Sequence, residues 1–381
     1  MKIIKKLLVA LVALSAIGVA LLYVSGHGYI ITALQGTYLA GNVTANVNDY
    51  TEFKVSKILT STSTILPKHQ DYNSKPLAAE FTAELEKYGT VSFLVVKDGQ
   101  VLSETYMNGY DDRSKTNSFS MAKTVATLLL GIAIEEGHVK SLNQPITDFL
   151  PEFASDRIGS KATIGQLSLM TSGYEWTEHY YSPLSPTVEL LYGDDVEEFL
   201  LKGEFNAEPG SFWEYSSASS ELMGVFLTRA LQKAGAAQSL SEYLSKRIWQ
   251  PMQMNDDALW HQDDKQMELV FCCLNTNARN FAKLGLLMLN QGRWNDQQLV
   301  PAPFVEQMIQ PVGKPYYGLS TWLSPETSPS YYWMSGHLGQ YIVVIPEHNM
   351  VVVRLGETRN PDKDFRTETL PEYIQAAMDL L

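Results

Sequence analysis

Residues Leu7 to Val24 read LLVALVALSAIGVALLYV, eighteen residues without a charge. This run constrains the chain more than any other feature, because its length approaches the ~20 residues that cross a bilayer. A signal-peptide core is shorter, roughly 7–15 residues. Lys2, Lys5 and Lys6 stand directly before it. The bias of cationic residues toward the cytoplasm keeps that end inside and exports the rest. Gly18 and Ala20 form a small-x-small pair that would also permit cleavage. We read residues 1–26 as a membrane anchor or signal peptide, and prefer an uncleaved anchor to a cut signal or a buried core helix. The expected location is a bacterial inner membrane with the body in the periplasm or outside the cell, or full export if the segment is cut.

The body that follows is acidic. The 381-residue chain carries 29 Lys and Arg against 42 Asp and Glu, and setting the three N-terminal lysines aside takes the net charge from −13 to −16. A nucleic-acid partner calls for a basic surface, so none is expected. Hydrophobic residues at 45% and charged residues at 19% favour a large folded core over disorder. The only cysteines, Cys272 and Cys273, are adjacent. Neighbouring cysteines bridge only under strain, so we read them as two small buried apolar side chains.

Hydropathy patterning organises the rest. Residues 27–84 are polar and mixed and read as a linker and lead-in. TVSFLVV (90–96) and QVLSETYMNG from Gln100 alternate like two strands around an Asp98-Gly99 turn. A helix starts near Ser120 and stops at Gly137. Residues 141–200 hold short helices and loops. Helical spacing recurs over 216–233, 239–249, 277–291, 302–309 and 370–381. Residues 316–323, 331–346 and 350–356 read as strands. Strands separated by a long helical block imply an α+β fold, an antiparallel sheet flanked by helices with an all-helical insertion. The folded domain is expected over 85–381, with its helical subdomain at about 135–310.

Three short elements carry possible chemistry. In Ser120-Met121-Ala122-Lys123, positions three apart share a helix face, so the Lys123 amine points back at the Ser120 hydroxyl. Serine needs such a base to act as a nucleophile, and lysine serves once burial lowers its pKa. A helix N-terminus adds N–H groups for a developing oxyanion. Tyr215-Ser216-Ser217 follows a Pro209-Gly210 turn and places a phenol where it could relay a proton. Ser335-Gly336-His337-Leu338-Gly339-Gln340 lies on an expected strand, whose glycines suggest a close approach of ligand or backbone.

These elements, in this order, resemble the serine β-lactamase and penicillin-binding-protein superfamily, with its β-lactamase/transpeptidase-like fold. More narrowly the chain resembles the class C β-lactamase-related group, which includes D-alanyl-D-alanine carboxypeptidases, certain esterases and 6-aminohexanoate-dimer hydrolases. Met170-Thr171-Ser172-Gly173, NARNFAKLGLLMLNQG (277–292), Tyr317-Gly318 and Trp322 add to the likeness. The resemblance implies that Ser120 is the acylated nucleophile, Lys123 its base and Tyr215 the proton shuttle. It implies an oxyanion hole from the N–H groups of Ser120 and Gln340. His337-Leu338-Gly339 stands where the family has K-T-G, so the usual ammonium and hydroxyl are missing. The segments around Thr177-Glu178-His179-Tyr180 and 268–285 are similar to the 6-aminohexanoate-dimer hydrolases, which makes Tyr180 and Asn275 candidate substrate contacts.

The expected function is therefore a serine hydrolase that cleaves a small-molecule or short-peptide amide or ester through an acyl-enzyme. The rivals are a peptidoglycan-directed D-alanyl-D-alanine carboxypeptidase or penicillin-binding protein, and a non-catalytic envelope binding protein. No cofactor or metal is expected: there is no H-E-x-x-H, G-x-S-x-G, Walker A or dinucleotide fingerprint. Asp194, Asp195, Glu197 and Glu198 read as a solvated helix face. Oligomeric state is left open.

Overall fold

The computed structural model describes residues 1–381. The chain begins with α1 (Lys2–Val24), which buries none of its residues, and α2 (Tyr29–Gly36). Then come β1 (Lys54–Ile58), α3 (Ala79–Lys87), β2 (Thr90–Lys97), β3 (Gln100–Tyr106), β4 (Thr116–Asn117) and α4 (Met121–Glu135). The middle holds α5 (Ile164–Ser168), α6 (Pro186–Tyr192), α7 (Val196–Leu201), α8 (Ser217–Ala234) and α9 (Leu240–Leu244). Next are β5 (Ala258–Gln262), β6 (Leu274–Thr276), α10 (Ala278–Leu289), the ribbon β7 (Arg293–Trp294) and β8 (Gln297–Gln298), and α11 (Ala302–Met308). The chain closes with β9 (Trp322–Ser324), β10 (Tyr331–Gly336), β11 (Gln340–Ile345), β12 (Met350–Gly356) and α12 (Leu370–Met378).

The main sheet is antiparallel in the order β3-β2-β12-β11-β10-β9. Its strands are hydrophobic on both faces because both faces are covered. Along β2, Leu94 and Val96 point into the large core with α4 and α10, while Phe93 and Val95 point toward α3 and α12. This is the period-2 division of a doubly covered strand. The β2–β3 hairpin turns at Asp98 and Gly99 with φ of 52° and 74°, the two positive values a tight two-residue turn needs. On α10, Gly285 lets the helix close on the sheet, since a Cβ there would sit 2.6 Å from a Val351 methyl. The α+β architecture, an antiparallel sheet flanked by helices, is as expected.

Five local expectations need correction. The inserted region is not all-helical: β5 and β6 lie within it, in a second sheet ordered β1-β5-β6-β4. The lead-in is more than a linker, because β1 pairs with β5 from Lys54↔Gln262 to Ile58↔Ala258. In 316–323 only the end is strand; Tyr317 and Gly318 form turns packed on the carbonyls that follow α11. His337–Gly339 is a turn rather than strand, with Leu338 and Gly339 at φ 60° and 84°. Cys272 and Cys273 are also not free thiols. They are joined as a vicinal disulfide, with Cα atoms 3.7 Å apart where the chain turns through φ 77° at Cys273.

Candidate active site

The helix α4 is buried from Met121 to Ala133 and runs through the centre of the body. Ser120 stands at its N-cap position, presented by Phe119 in a left-handed backbone conformation (φ 45°). That costly turn is held from outside the helix. The Phe119 N–H donates to Asn117 Oδ1 at 2.8 Å, and the Leu274 N–H donates to Ser118 Oγ at 3.1 Å. The Ser120 N–H makes no hydrogen bond within the protein. It is thus a free donor at a helix N-terminus.

Lys123 lies one turn on and is fully buried. Its Nζ donates to Ser120 Oγ at 3.1 Å, to Ser217 Oγ at 3.2 Å and to the Phe271 carbonyl at 2.7 Å. Burial pulls its ammonium down to about 8, against the opposing pull of Glu178 and Glu221. Glu221 is itself buried, and burial pushes its carboxyl up to about 8 while the Phe271 N–H holds it in place. Tyr215 stands on the other side of Lys123, whose Nζ is 5.1 Å from the ring centre. Its ring stacks on Trp322 at 5.8 Å and meets Tyr317 edge-on at 6.4 Å. Burial and Glu178 push its phenol well up, only partly offset by a hydrogen bond with Ser120. At neutral pH it is a phenol, not a phenolate.

Glu178 is a residue that sequence reasoning quoted without giving it a role. Its carboxylate accepts from the Ser217 hydroxyl at 2.7 Å, the Ser217 N–H at 2.9 Å and the Trp176 indole at 2.6 Å. It therefore fixes Ser217 against Lys123. The signal was its sequence proximity to Tyr180, but nothing in the sequence shows that the loop folds back onto the start of α8.

The third element borders Ser120 across the end of β10. Gly336 packs against the Ser118 carbonyl, so a Cβ there would collide with the chain that carries the serine. Burial, with Arg359, lowers His337 to about 4, so its imidazole is neutral. Its Nε2 has no hydrogen-bond partner, and its ring meets Phe119 edge-on at 5.6 Å and Tyr180 at 4.9 Å. Gln340 opens β11, and its side chain bridges the His337 carbonyl (3.1 Å) and the Gly356 carbonyl (2.7 Å). Gly339 packs against the Arg354 guanidinium, where a Cβ would lie 2.6 Å away.

A narrow cavity opens at Ser120. Tyr180 and His337 line it, as do Phe119 and Ser217. Asn275 does not, contrary to the expectation that it touches substrate. It is fully buried in β6 between β4 and β5, and its Nδ2 donates to the Cys273 carbonyl at 2.8 Å. The helix cap nearby is Asn277, which accepts from the Asn280 N–H. The acidic stretch splits: Asp195 caps α7, and Glu197 pairs with Arg229.

The family profile "Beta-lactamase" matches residues 77–375. A 6-aminohexanoate-dimer hydrolase of Paenarthrobacter ureafaciens is 24% identical over 302 residues, covering 73% of this chain and 75% of that protein. Protein flp of Staphylococcus aureus (strain MW2) is 28% identical over 176 residues, 43% of this chain and 33% of its own length. Among solved structures, a Bacillus anthracis protein provisionally assigned as a 6-aminohexanoate-dimer hydrolase superposes with a TM-score of 0.74 at 22% identity, over 87% of this chain and 92% of its own. A family VIII carboxylesterase gives 0.60 at 16% identity, over 81% and 99%. A penicillin-binding protein from Bacillus halodurans gives 0.61 at 14% identity, over 79% and 99%. These structural likenesses speak for the fold. The family match spans most of the folded body and includes all three short elements, so this chain belongs to the β-lactamase family and is one of its serine hydrolases.

Proposed function

We propose that the protein hydrolyses an uncharged ester or amide by acyl transfer to Ser120, from a body anchored by α1. The observation that carries this is the buried Lys123 amine 3.1 Å from Ser120 Oγ, with its pKa brought near neutrality. Neutral Lys123 takes the Ser120 proton as Oγ bonds to the substrate carbonyl carbon. The N–H groups of Ser120 and Gln340 receive the oxyanion. As the intermediate collapses, Tyr215 gives its proton to the leaving alcohol or amine and regains one from Lys123. Water then attacks the acyl-enzyme; its hydroxyl leaves with the acid and its proton returns to Ser120. Lys123 acts as the base in this scheme because the Tyr215 phenol is held too basic to ionise first.

The third element argues for a neutral substrate. Where relatives would offer an ammonium and a hydroxyl, His337 is uncharged and the Leu338 side chain has no polar atom. Neither side chain gives a substrate carboxylate a partner, which weakens the carboxypeptidase and penicillin-binding readings; the cation nearby is the exposed Arg359, beyond the turn. An alkyl fluorophosphonate tests the assignment: it should label the protein at Ser120, located by mass spectrometry, and a fluorescent penicillin should not. Labelling elsewhere, or none, would sink the reading.

The pH dependence follows from the sign of the lysine shift. A depressed lysine is a competent base only above its pKa. The kcat/KM for an ester should rise about tenfold per pH unit from 6 toward 8 and level off near 9. Glu221 titrates in the same range, so the midpoint belongs to the Lys123–Glu221 pair. A rate already flat at pH 6.5, or still climbing past pH 10, would contradict Lys123 as base.

A further inference from the structure

We infer that the site takes long-chain acyl esters or amides drawn from the membrane that holds α1, a substrate class that rests on the Ser120 acyl-transfer reading above. The first observation is the chemistry of the cavity. Thirteen of its 21 lining residues are hydrophobic, and none is Asp, Glu, Lys or Arg. A narrow apolar slot beside a reactive serine suits a hydrocarbon chain better than a peptide or sugar, whose polar groups would lose water without gaining partners.

The second observation is what builds the slot. Its far wall is the lead-in, with Ala33 and Leu34 of α2 and Val43 and Ala45 beyond it. Facing them is α6, through Val188 and Tyr192. The same α6 side chains pack with Tyr29, Ile30 and Ala33 in one cluster, which Leu22 of α1 also joins. The wall of the cavity is thus continuous with the foot of the anchor. Only four residues separate α1 from α2. That link and the eight residues of α2 keep the mouth within roughly 25 Å of the end of α1.

The third observation is the mouth. Tyr38, Val43 and Tyr181 line the cavity yet are 52%, 66% and 55% exposed. Leu39 and Leu184 stand beside them in sequence at 79% and 71%. Exposed apolar and tyrosine side chains gathered at one opening mark a surface that meets a membrane interface. The slot receives the arm that stays on the serine. Ser120 and Ser217 line it, whereas Tyr215, which serves the leaving group, does not. In this scheme the acyl–oxygen or acyl–nitrogen bond breaks, the alcohol or amine leaves with a proton, and water releases a fatty acid.

The test uses the full-length chain in phospholipid vesicles with p-nitrophenyl acetate, octanoate and dodecanoate, and Ser120→Ala as the blank. Dodecanoate should exceed acetate at least tenfold in kcat/KM. Leu34→Trp, which fills the slot, should cut the dodecanoate-to-acetate ratio at least tenfold; Val43→Trp at the rim replaces it if that variant does not fold. For p-nitrophenyl palmitate, turnover should be at least tenfold faster when ester and enzyme share a vesicle than when they sit in separate ones. A preference for acetate, an unchanged ratio in the tryptophan variant, or equal rates from shared and separate vesicles would each overturn the inference while leaving acyl transfer at Ser120 standing. Absence of any Ser120-dependent ester hydrolysis would instead overturn the mechanism beneath it.

Discussion

A Lys123→Met enzyme is expected to lose at least three orders of magnitude in kcat/KM toward an ester reporter and to keep its fold. A general base contributes roughly 10²–10⁴ to such a step, and a thousandfold loss corresponds to about 4 kcal/mol of transition-state stabilisation. Methionine has nearly the length of lysine and suits the apolar walls of the site. Its cost to stability is bounded. Ser217 keeps Glu178 as a partner, so the group left unpaired is the Phe271 carbonyl, worth about 1–3 kcal/mol. Removing a buried ammonium with no carboxylate in salt-bridge contact offsets part of that. Lys123→Arg should not rescue activity, because a guanidinium cannot give up its proton at working pH. The measurements are kcat/KM, the size of the acylation burst and a thermal melt of each variant. Retention of activity within tenfold in the methionine enzyme would show that another group takes the serine proton.

The contact between Ser120 and Lys123 was legible in the sequence because their spacing is local, whereas Tyr215 was singled out by the order of the three elements in the resemblance. Helical geometry alone brings a lysine back to a serine three positions earlier, and the structure places the pair within hydrogen-bonding reach. The alternating strands on either side of Asp98-Gly99 and the helix stopping at Gly137 were legible for the same reason. What stayed hidden depends on contacts between distant segments. Glu178 meets Ser217 across 39 residues, and β1 finds β5 some two hundred residues away. Nothing in the polar composition of residues 27–84 shows that α2 would wall the cavity. Asn275 was misplaced because likeness to a relative gives position along the chain, not the direction of a side chain in a strand. The turn at His337–Gly339 was misread for a related reason. The run YYWMSGHLGQYIVVIP has strand hydropathy throughout, and only the left-handed backbone at Leu338 and Gly339 divides it.

Arg354→Met is the substitution expected to cost the most stability. Arg354 lies in β12 and is 1% exposed, yet it has no carboxylate partner. Its guanidinium instead donates to neutral oxygens on three separate stretches of chain. These are Thr90 Oγ1 at 2.9 Å, the Tyr88 carbonyl at 2.8 Å, the Leu338 and Gly339 carbonyls at 3.0 and 2.9 Å, and the Thr358 carbonyl at 2.8 Å. Gly339 and Gly356 are close against it, and a side chain at either would collide with the guanidinium. The arginine therefore clamps the turn that carries His337 and leads into Gln340. Methionine would leave the buried Gly339 carbonyl and the half-buried Tyr88 and Leu338 carbonyls without this donor, each worth up to about 1–3 kcal/mol, while the Thr358 carbonyl belongs to an exposed residue and can turn to water. Release from burying an arginine cation returns part of this, which leaves a net loss of about 3–5 kcal/mol. Lysine should rescue only in part, since one ammonium cannot reproduce a planar fork of five donors. Urea unfolding of the folded domain should give a clearly lower midpoint for Arg354→Met with an unchanged slope. The fraction still folded should show weakened ester turnover, because the turn leading into Gln340, whose N–H is the proposed oxyanion donor, is no longer held in place. A midpoint within about 0.5 kcal/mol of the parent would mean that water or a neighbouring side chain satisfies those carbonyls, and that the clamp is not what holds the third element against Ser120.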